Sequence, residues 1–291
     1  MLRLKTLLGN YPVTKGLKDG VVRSPRLAFD FADVKVPHSA FKRVVRDLEF
    51  DVAELAIVTF LMAKAHGKPY QLLPAVMFGR FQHPYLVSTA GLAPKDLEGR
   101  RVGIRSSSVT TVAWLKGILA QDHGVDLGKV KWVTFEDAHV AEFKDPPGTE
   151  RAPAGKTALQ MLLDGELDAA VLSDPVPQDA RLKPVIPDPA SAALQWQARY
   201  QAIQVNHVVV VKNTLPPDVI KEVYDLLAQS KSQATIIAGA KYDTSPFGLN
   251  ANRRNFDMAI DCLHRQGLIP KRYTVDELFA DLPADVRASF A

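Results

Sequence analysis

A single cysteine, Cys262, stands among 291 residues, so no intramolecular disulfide can form and no oxidising compartment is implied. It falls in a helical pattern, where a lone cysteine reads as a small core residue. Long apolar runs are missing too. No segment approaches the roughly 18 consecutive apolar residues of a membrane span. The first eight residues alternate apolar and charged side chains and pass at once into Gly9-Asn10-Tyr11-Pro12. That start has no apolar h-region and no small-residue cleavage site, so a cytoplasmic location is expected. Charge of one sign is in short supply: 36 Lys and Arg against 32 Asp and Glu leave a net +4, without any dense basic block. Neither nucleic acid nor a membrane is therefore an expected partner, whereas a small anionic substrate fits. The motifs CxxC, HExxH, GxGxxG and the Walker A loop are all absent. No cofactor and no metal are expected; a metal would require His83, His207 and Glu54 to converge.

What is present is an alternation of short apolar runs with helical patterns. The sequence predicts strands over 2–8, 26–31, 70–78, 85–89, 101–105, 129–135, 168–172 and 207–212. It predicts helices over 39–48, 56–66, 108–122, 156–163, 189–200, 216–230, 250–266 and 275–282. Thr274-Val275-Asp276-Glu277 is a capping box expected to start the last helix. Such alternation means a mostly parallel sheet flanked by helices. The chain also echoes itself. Glu49-Phe50-Asp51-Val52-Ala53-Glu54-Leu55 and Glu166-Leu167-Asp168-Ala169-Ala170-Val171-Leu172 each read as an acidic turn leading into a buried strand. Two lobes of similar topology leave this trace. Two extended segments, 81–89 and 205–212, mark two crossings. The expected lobes are 1–92 with 206–291 and 93–205, with a ligand cleft between them; 142–156 reads as an exposed loop.

This arrangement resembles a type II periplasmic-binding-protein fold: α/β, two-lobed, with a mixed, mostly parallel sheet in each lobe and two hinge crossings. Within it the chain resembles the 4,5-dihydroxyphthalate decarboxylase family. The likeness rests on Phe50-Asp51-Val52-Ala53-Glu54-Leu55, on Gly79-Arg80-Phe81-Gln82-His83 and on Leu97 to Ile104. It continues through the helix with Trp114, Gly117 and Ile118, through His207 to Val211, and through Pro246-Phe247-Gly248-Leu249-Asn250-Ala251-Asn252-Arg253. Gln266-Gly267-Leu268 and Glu277-Leu278-Phe279 close it. The likeness is weakest over 137–188, where Leu172-Ser173-Asp174-Pro175-Val176-Pro177 departs from the family pattern. The resemblance implies a small aromatic carboxylic acid as substrate and decarboxylation as the reaction. A receptor of an uptake system and another lyase on the same fold, such as the menaquinone-pathway enzymes, are the competing functions. A ligand-sensing half of a transcription factor would need a DNA-binding segment for which the chain has no room.

Ligands of α/β sheets sit outside the carboxyl ends of the strands, so polar residues there are the candidates. Arg105-Ser106-Ser107-Ser108-Val109-Thr110-Thr111 ends a strand and opens a helix, where free N–H groups and hydroxyls favour an anion. Capping by Ser108 alone is the plain alternative. Ser107, Ser108, Thr110 and Thr111 are therefore candidate substrate ligands, with Trp114 either core or a wall against a ring. Glu54 ends an apolar strand, where a carboxylate must be paired, exchange protons in a cleft, or bridge to a neighbouring Arg. His83 and His207 stand at the two crossings, and histidine exchanges protons near neutral pH. Arg80 suits a bidentate grip on a carboxylate. Asn10 and Tyr11 end the first strand, as substrate ligands or turn residues. Asp51 and Asp168 belong to turns, and Asn252 and Arg253 brace the terminal helix.

A ring hydroxyl lets an aromatic acid serve as its own electron sink, so decarboxylation needs no organic cofactor. The chemistry gives the phenol to His207 or His83. It gives the ring carbon to Glu54 or the other histidine, and the retained carboxylate to Arg80 with Ser107–Thr111.

Overall fold

The computed structural model describes residues 1–234 and 242–290. In chain order its elements are β1 (Leu2–Leu7), α1 (Pro12–Lys18), β2 (Leu27–Phe31), α2 (Phe41–Val45), β3 (Val52–Ala56), α3 (Ile57–Ala65), β4 (Tyr70–Gly79), β5 (Leu86–Ser88) and β6 (Arg101–Ile104). Then follow α4 (Thr110–His123), β7 (Lys131–Thr134), β8 (Glu150–Arg151), α5 (Ala158–Leu163), β9 (Ala169–Val171), β10 (Lys183–Pro184) and α6 (Pro189–Tyr200). The last are β11 (Val205–Lys212), α7 (Pro217–Ser232), α8 (Leu249–Arg265) and α9 (Ala284–Ala288). None of the described helices is long and apolar enough to cross a membrane.

The chain forms two compact units, 1–80 with 205–264 and 269–291, and 81–204 with 265–268. The expected boundary at 92/93 is therefore corrected to 80/81. The cause is β5, which pairs antiparallel with β9 and with β10 and so belongs to the second sheet. Residues 265–268 also belong to the second unit, where Gln266 Nε2 donates to the Ala113 carbonyl at 2.8 Å.

The first unit has a sheet ordered β2-β1-β3-β11-β4. Strands β1, β2 and β3 are parallel, and β11 runs antiparallel to β3 and β4. Strand β3 is buried at all five positions, including Glu54. The buried apolar residues around it include Leu4, Leu7, Phe50 and Ile57, each contributing about 1.5–3 kcal/mol on burial. The second unit's sheet is ordered β10-β5-β9-β6-β7-β8. Its core gathers Val87, Val133, Met161, Leu162, Leu167 and Ala170.

The repeated sequence has a repeated job. In the first unit Asp51 N–H donates to the Lys5 carbonyl, and Asp51 Oδ2 accepts from Lys5 N–H at 2.9 Å. In the second unit Asp168 N–H donates to the Arg101 carbonyl, and Asp168 Oδ2 accepts from Arg101 N–H at 2.8 Å. Each aspartate closes the entry of the strand that lies between a parallel neighbour and an antiparallel one.

One helix is unexpected and one expectation changes. Pro12 opens α1, since proline at the first helical position loses no hydrogen bond. The Thr274–Glu277 capping box forms, with Thr274 N–H donating to Glu277 Oε2 at 2.6 Å. It starts only a short 3-10 turn, Asp276–Leu278, rather than a helix over 275–282, and Leu278, Phe279 and Leu282 are buried in the core.

Candidate functional site

The first unit buries a carboxylate and satisfies it completely. Glu54 has no exposed surface. Its Oε2 accepts from Gly9 N–H at 2.8 Å, and its Oε1 accepts from the Tyr11 hydroxyl at 2.7 Å. The same Oε1 lies 2.5 Å from His207 Nδ1. Register explains the last contact. Glu54 faces Val209 and His207 faces Ala56 across the β3–β11 pair, so the two side chains are diagonal neighbours on one face. Gly9 and Tyr11 come from the turn between β1 and α1. A side chain at Gly9 would place its Cβ 2.4 Å from the Tyr11 ring and 2.9 Å from Glu54 Oε2, so only glycine lets this turn close on the carboxylate.

Thr14 pins that turn. Buried in the first turn of α1, its Oγ1 donates to the Gly9 carbonyl at 2.7 Å and accepts from Tyr11 N–H at 3.0 Å. The helix is held on α7 through Ser230, whose Oγ accepts from Leu17 N–H at 3.3 Å. His207 is wedged edge-on between Phe41 and Phe78, with ring centroids at 5.0 and 4.5 Å. Phe78 also packs against Tyr11 at 5.9 Å. With Nδ1 turned to Glu54, no described residue takes Nε2, and the side chain keeps 12% exposure. Burial, then the charge and hydrogen bond of Glu54, push the Tyr11 phenol well above its ordinary range, so it stays a donor.

A cation stands on the same edge. Lys18 Nζ donates to Asn10 Oδ1 at 2.7 Å and lies 5.4 Å above the Phe31 ring at the end of β2. Partial burial lowers its ammonium, and the nearby Glu54 carboxylate opposes that fall. Asn10, Tyr11 and Lys18 share the wall of a cavity of about 800 Å³.

Of the residues expected from sequence, Glu54, His207, Tyr11 and Asn10 thus come together in the first unit. Glu54 forms no bridge to an arginine; its oxygens are spent on Gly9, Tyr11 and His207. Arg80 ends the first unit's opening segment, its guanidinium 6.0 Å from the Phe78 ring. His83 lies in the second unit, buried, with no partner at Nδ1 among the described residues. Desolvation lowers it to about 4, so it is neutral at pH 7.

The second unit also holds the hydroxyl run. Helix α4 begins at Thr110, and its N-cap is Val109, which offers no side-chain cap. Ser108 therefore does not cap it; its Oγ accepts from His139 N–H at 3.3 Å and lies 3.2 Å from Ser106 Oγ. Ser107 Oγ and Thr110 Oγ1 are buried without a partner among the described residues, and Thr111 is buried beside them. Uncapped amides with unpartnered hydroxyls suit an anion. Trp114 is core, packed edge-on against Trp196 at 5.9 Å. Asn252 braces the terminal segment as expected, its Nδ2 donating to the Pro246 and Gly248 carbonyls. No group of three or more His, Cys, Asp or Glu among the described residues is placed to hold a metal.

Sequence patterns missed Gly9, Thr14, Lys18 and Phe78. The usable signal was Pro12: a helix starting there puts Thr14 and Lys18 four apart on one face.

Two known relatives resemble the chain. A 4,5-dihydroxyphthalate decarboxylase of Comamonas testosteroni is 29% identical over 230 residues, spanning 74% of this chain and 69% of the relative. One of Pseudomonas putida is 30% identical over 181 residues, spanning 58% and 70%. No family model matches. Among solved structures, the alkanesulfonate-binding protein SsuA from Xanthomonas axonopodis pv. citri, bound to MOPS, covers 95% of this chain and 97% of its own at 16% identity, with a TM-score of 0.52. That likeness and the strand order of the two sheets assign the type II periplasmic-binding-protein-like fold.

Proposed function

Because the chain belongs to the 4,5-dihydroxyphthalate decarboxylase family, and with it is a carboxy-lyase, we propose that it removes CO2 from a hydroxylated aromatic acid of the 4,5-dihydroxyphthalate kind through the Glu54–His207 pair, without an organic cofactor. The observation that carries this is the fully buried Glu54 carboxylate 2.5 Å from His207 Nδ1. A carboxylate there fixes the proton on Nδ1 and leaves the Nε2 lone pair as a base, the role an orienting acid plays in other histidine sites.

The steps balance as follows. Nε2 takes the proton of the ring hydroxyl para to a carboxylate. The oxygen's electrons move into the ring and make the carboxylate-bearing carbon basic. That carbon takes a proton from the imidazolium, whose charge Glu54 offsets. The carbon–carboxylate bond then breaks, its electron pair restores the aromatic ring, and CO2 leaves. The phenolate recovers its proton from water. Glu54 orients and neutralises; buried and fully bonded, it does not itself meet the ring. His83, neutral at pH 7, carries no proton in this scheme.

The test is incubation with a panel of hydroxylated benzoic and phthalic acids, following CO2 release. Release from an acid with a hydroxyl para to its carboxylate, and one deuterium on the product ring in D2O, is the expected result. Tight binding across the panel without release would instead make the chain a receptor.

A further inference from the structure

We propose that Lys18 anchors the carboxylate that the reaction retains, so that the first unit selects an aromatic dicarboxylate over a monocarboxylate. This rests on the decarboxylation proposed above and adds a binding group to it. The ammonium is held at the carboxyl ends of β1 and β2, beside Asn10 and over Phe31, the edge where an α/β sheet receives its ligand. Tyr11, next in sequence to its partner Asn10, hydrogen-bonds Glu54, so the cation and the Glu54–His207 pair are joined by one turn. Both Asn10 and Tyr11 line the cavity that Lys18 lines.

A solvated lysine at the end of a helix normally extends into water and keeps its rotamer freedom. Lys18 instead folds back onto a neutral amide and, among the described residues, is paired with no carboxylate. Its neighbour Lys15, three residues earlier on α1, is neutralised by Asp19, which sharpens the contrast. The carboxylate whose charge acts on Lys18 is Glu54, which His207, the Gly9 N–H and the Tyr11 hydroxyl already satisfy. The ammonium therefore has charge to give to an incoming carboxylate, with the Phe31 ring beneath it and Tyr11 on the cavity wall. The two carboxylates of an ortho diacid have different fates. One must leave as neutral CO2 and gains nothing from a cation. The other keeps its charge throughout, so binding it costs the reaction nothing.

The experiment measures calorimetric binding of phthalate and benzoate to the full chain, with Lys18→Gln and Lys18→Arg. Phthalate has no ring hydroxyl and is not turned over. Lys18→Gln should weaken phthalate about ten- to a hundredfold while changing benzoate little, and Lys18→Arg should recover most of the loss. With 4,5-dihydroxyphthalate, Lys18→Gln should raise KM more than it lowers kcat. Equal phthalate affinity in the wild type and Lys18→Gln, or no phthalate binding by the wild type, overturns the anchor. Failure of the wild type to release CO2 overturns the reaction instead, and the phthalate comparison still decides Lys18.

Discussion

His207 Nδ1 lies 2.5 Å from Glu54 Oε1 although 153 residues separate them in the chain. The contact exists because β11 returns to the first sheet and runs antiparallel beside β3. A residue at the start of β11 thereby meets one near the end of β3, and Phe78 on β4 closes the other side of the ring. The pair is as firm as the turn that supplies its remaining donors.

That turn depends on Thr14. Thr14→Val removes a donor to the Gly9 carbonyl and an acceptor for Tyr11 N–H, both inside the protein. Stability should fall by about 1–3 kcal/mol. Turnover should fall about tenfold or more, since sub-ångström shifts of Tyr11 and Gly9 loosen Glu54. Thr14→Ser, which keeps the hydroxyl, should recover most of both. Melting curves and CO2 release on the two variants check it; a serine variant as poor as valine would assign the effect to the methyl group.

His83 makes stability depend on acidity. Its folded value, about 4, lies below the ordinary 6.5, because burial penalises the charged ring. Between those values the unfolded chain takes a proton that the folded one refuses, so stability is full above about 6.5 and falls as pH drops toward 4. His83→Gln should flatten the melting temperature across that window, and a wild-type slope equal to the variant's would remove His83 as the cause. Turnover at pH 7 should survive this change far better than the loss of His207.

Thr110 carries a buried hydroxyl with no partner among the described residues. Thr110→Val replaces it with an apolar group of the same shape, and the protein should gain about 1 kcal/mol. If an anion is its natural partner, the same change should weaken inorganic phosphate binding severalfold. Unchanged affinity would leave the hydroxyl run a packing feature of α4.

Much of this was written in the sequence. The Asp51 and Asp168 echoes predicted two sheets of like topology, and both aspartates do the same bonding in their own sheet. The apolar runs placed β4, β6 and β11 closely, and the Glu49–Leu55 echo placed β3, because buried strands carry strong local patterns. The pairing of Glu54 with His207 was not legible, since strand register is set by long-range packing rather than by neighbours in sequence. Nor was Thr14, whose value lies in two backbone groups of a turn that reads as an ordinary loop. The boundary at 80/81 escaped because the strand expected over 85–89 does not declare in sequence which sheet it joins; its pairing with β9 and β10 is long-range.

The most direct measurement is CO2 release from 4,5-dihydroxyphthalate by His207→Gln beside the wild type, with melting temperatures taken on both. A wild-type rate that drops at least about a hundredfold in the variant, with melting unchanged, is the predicted result. A variant that releases CO2 within a few-fold of the wild type would contradict proton transfer at His207.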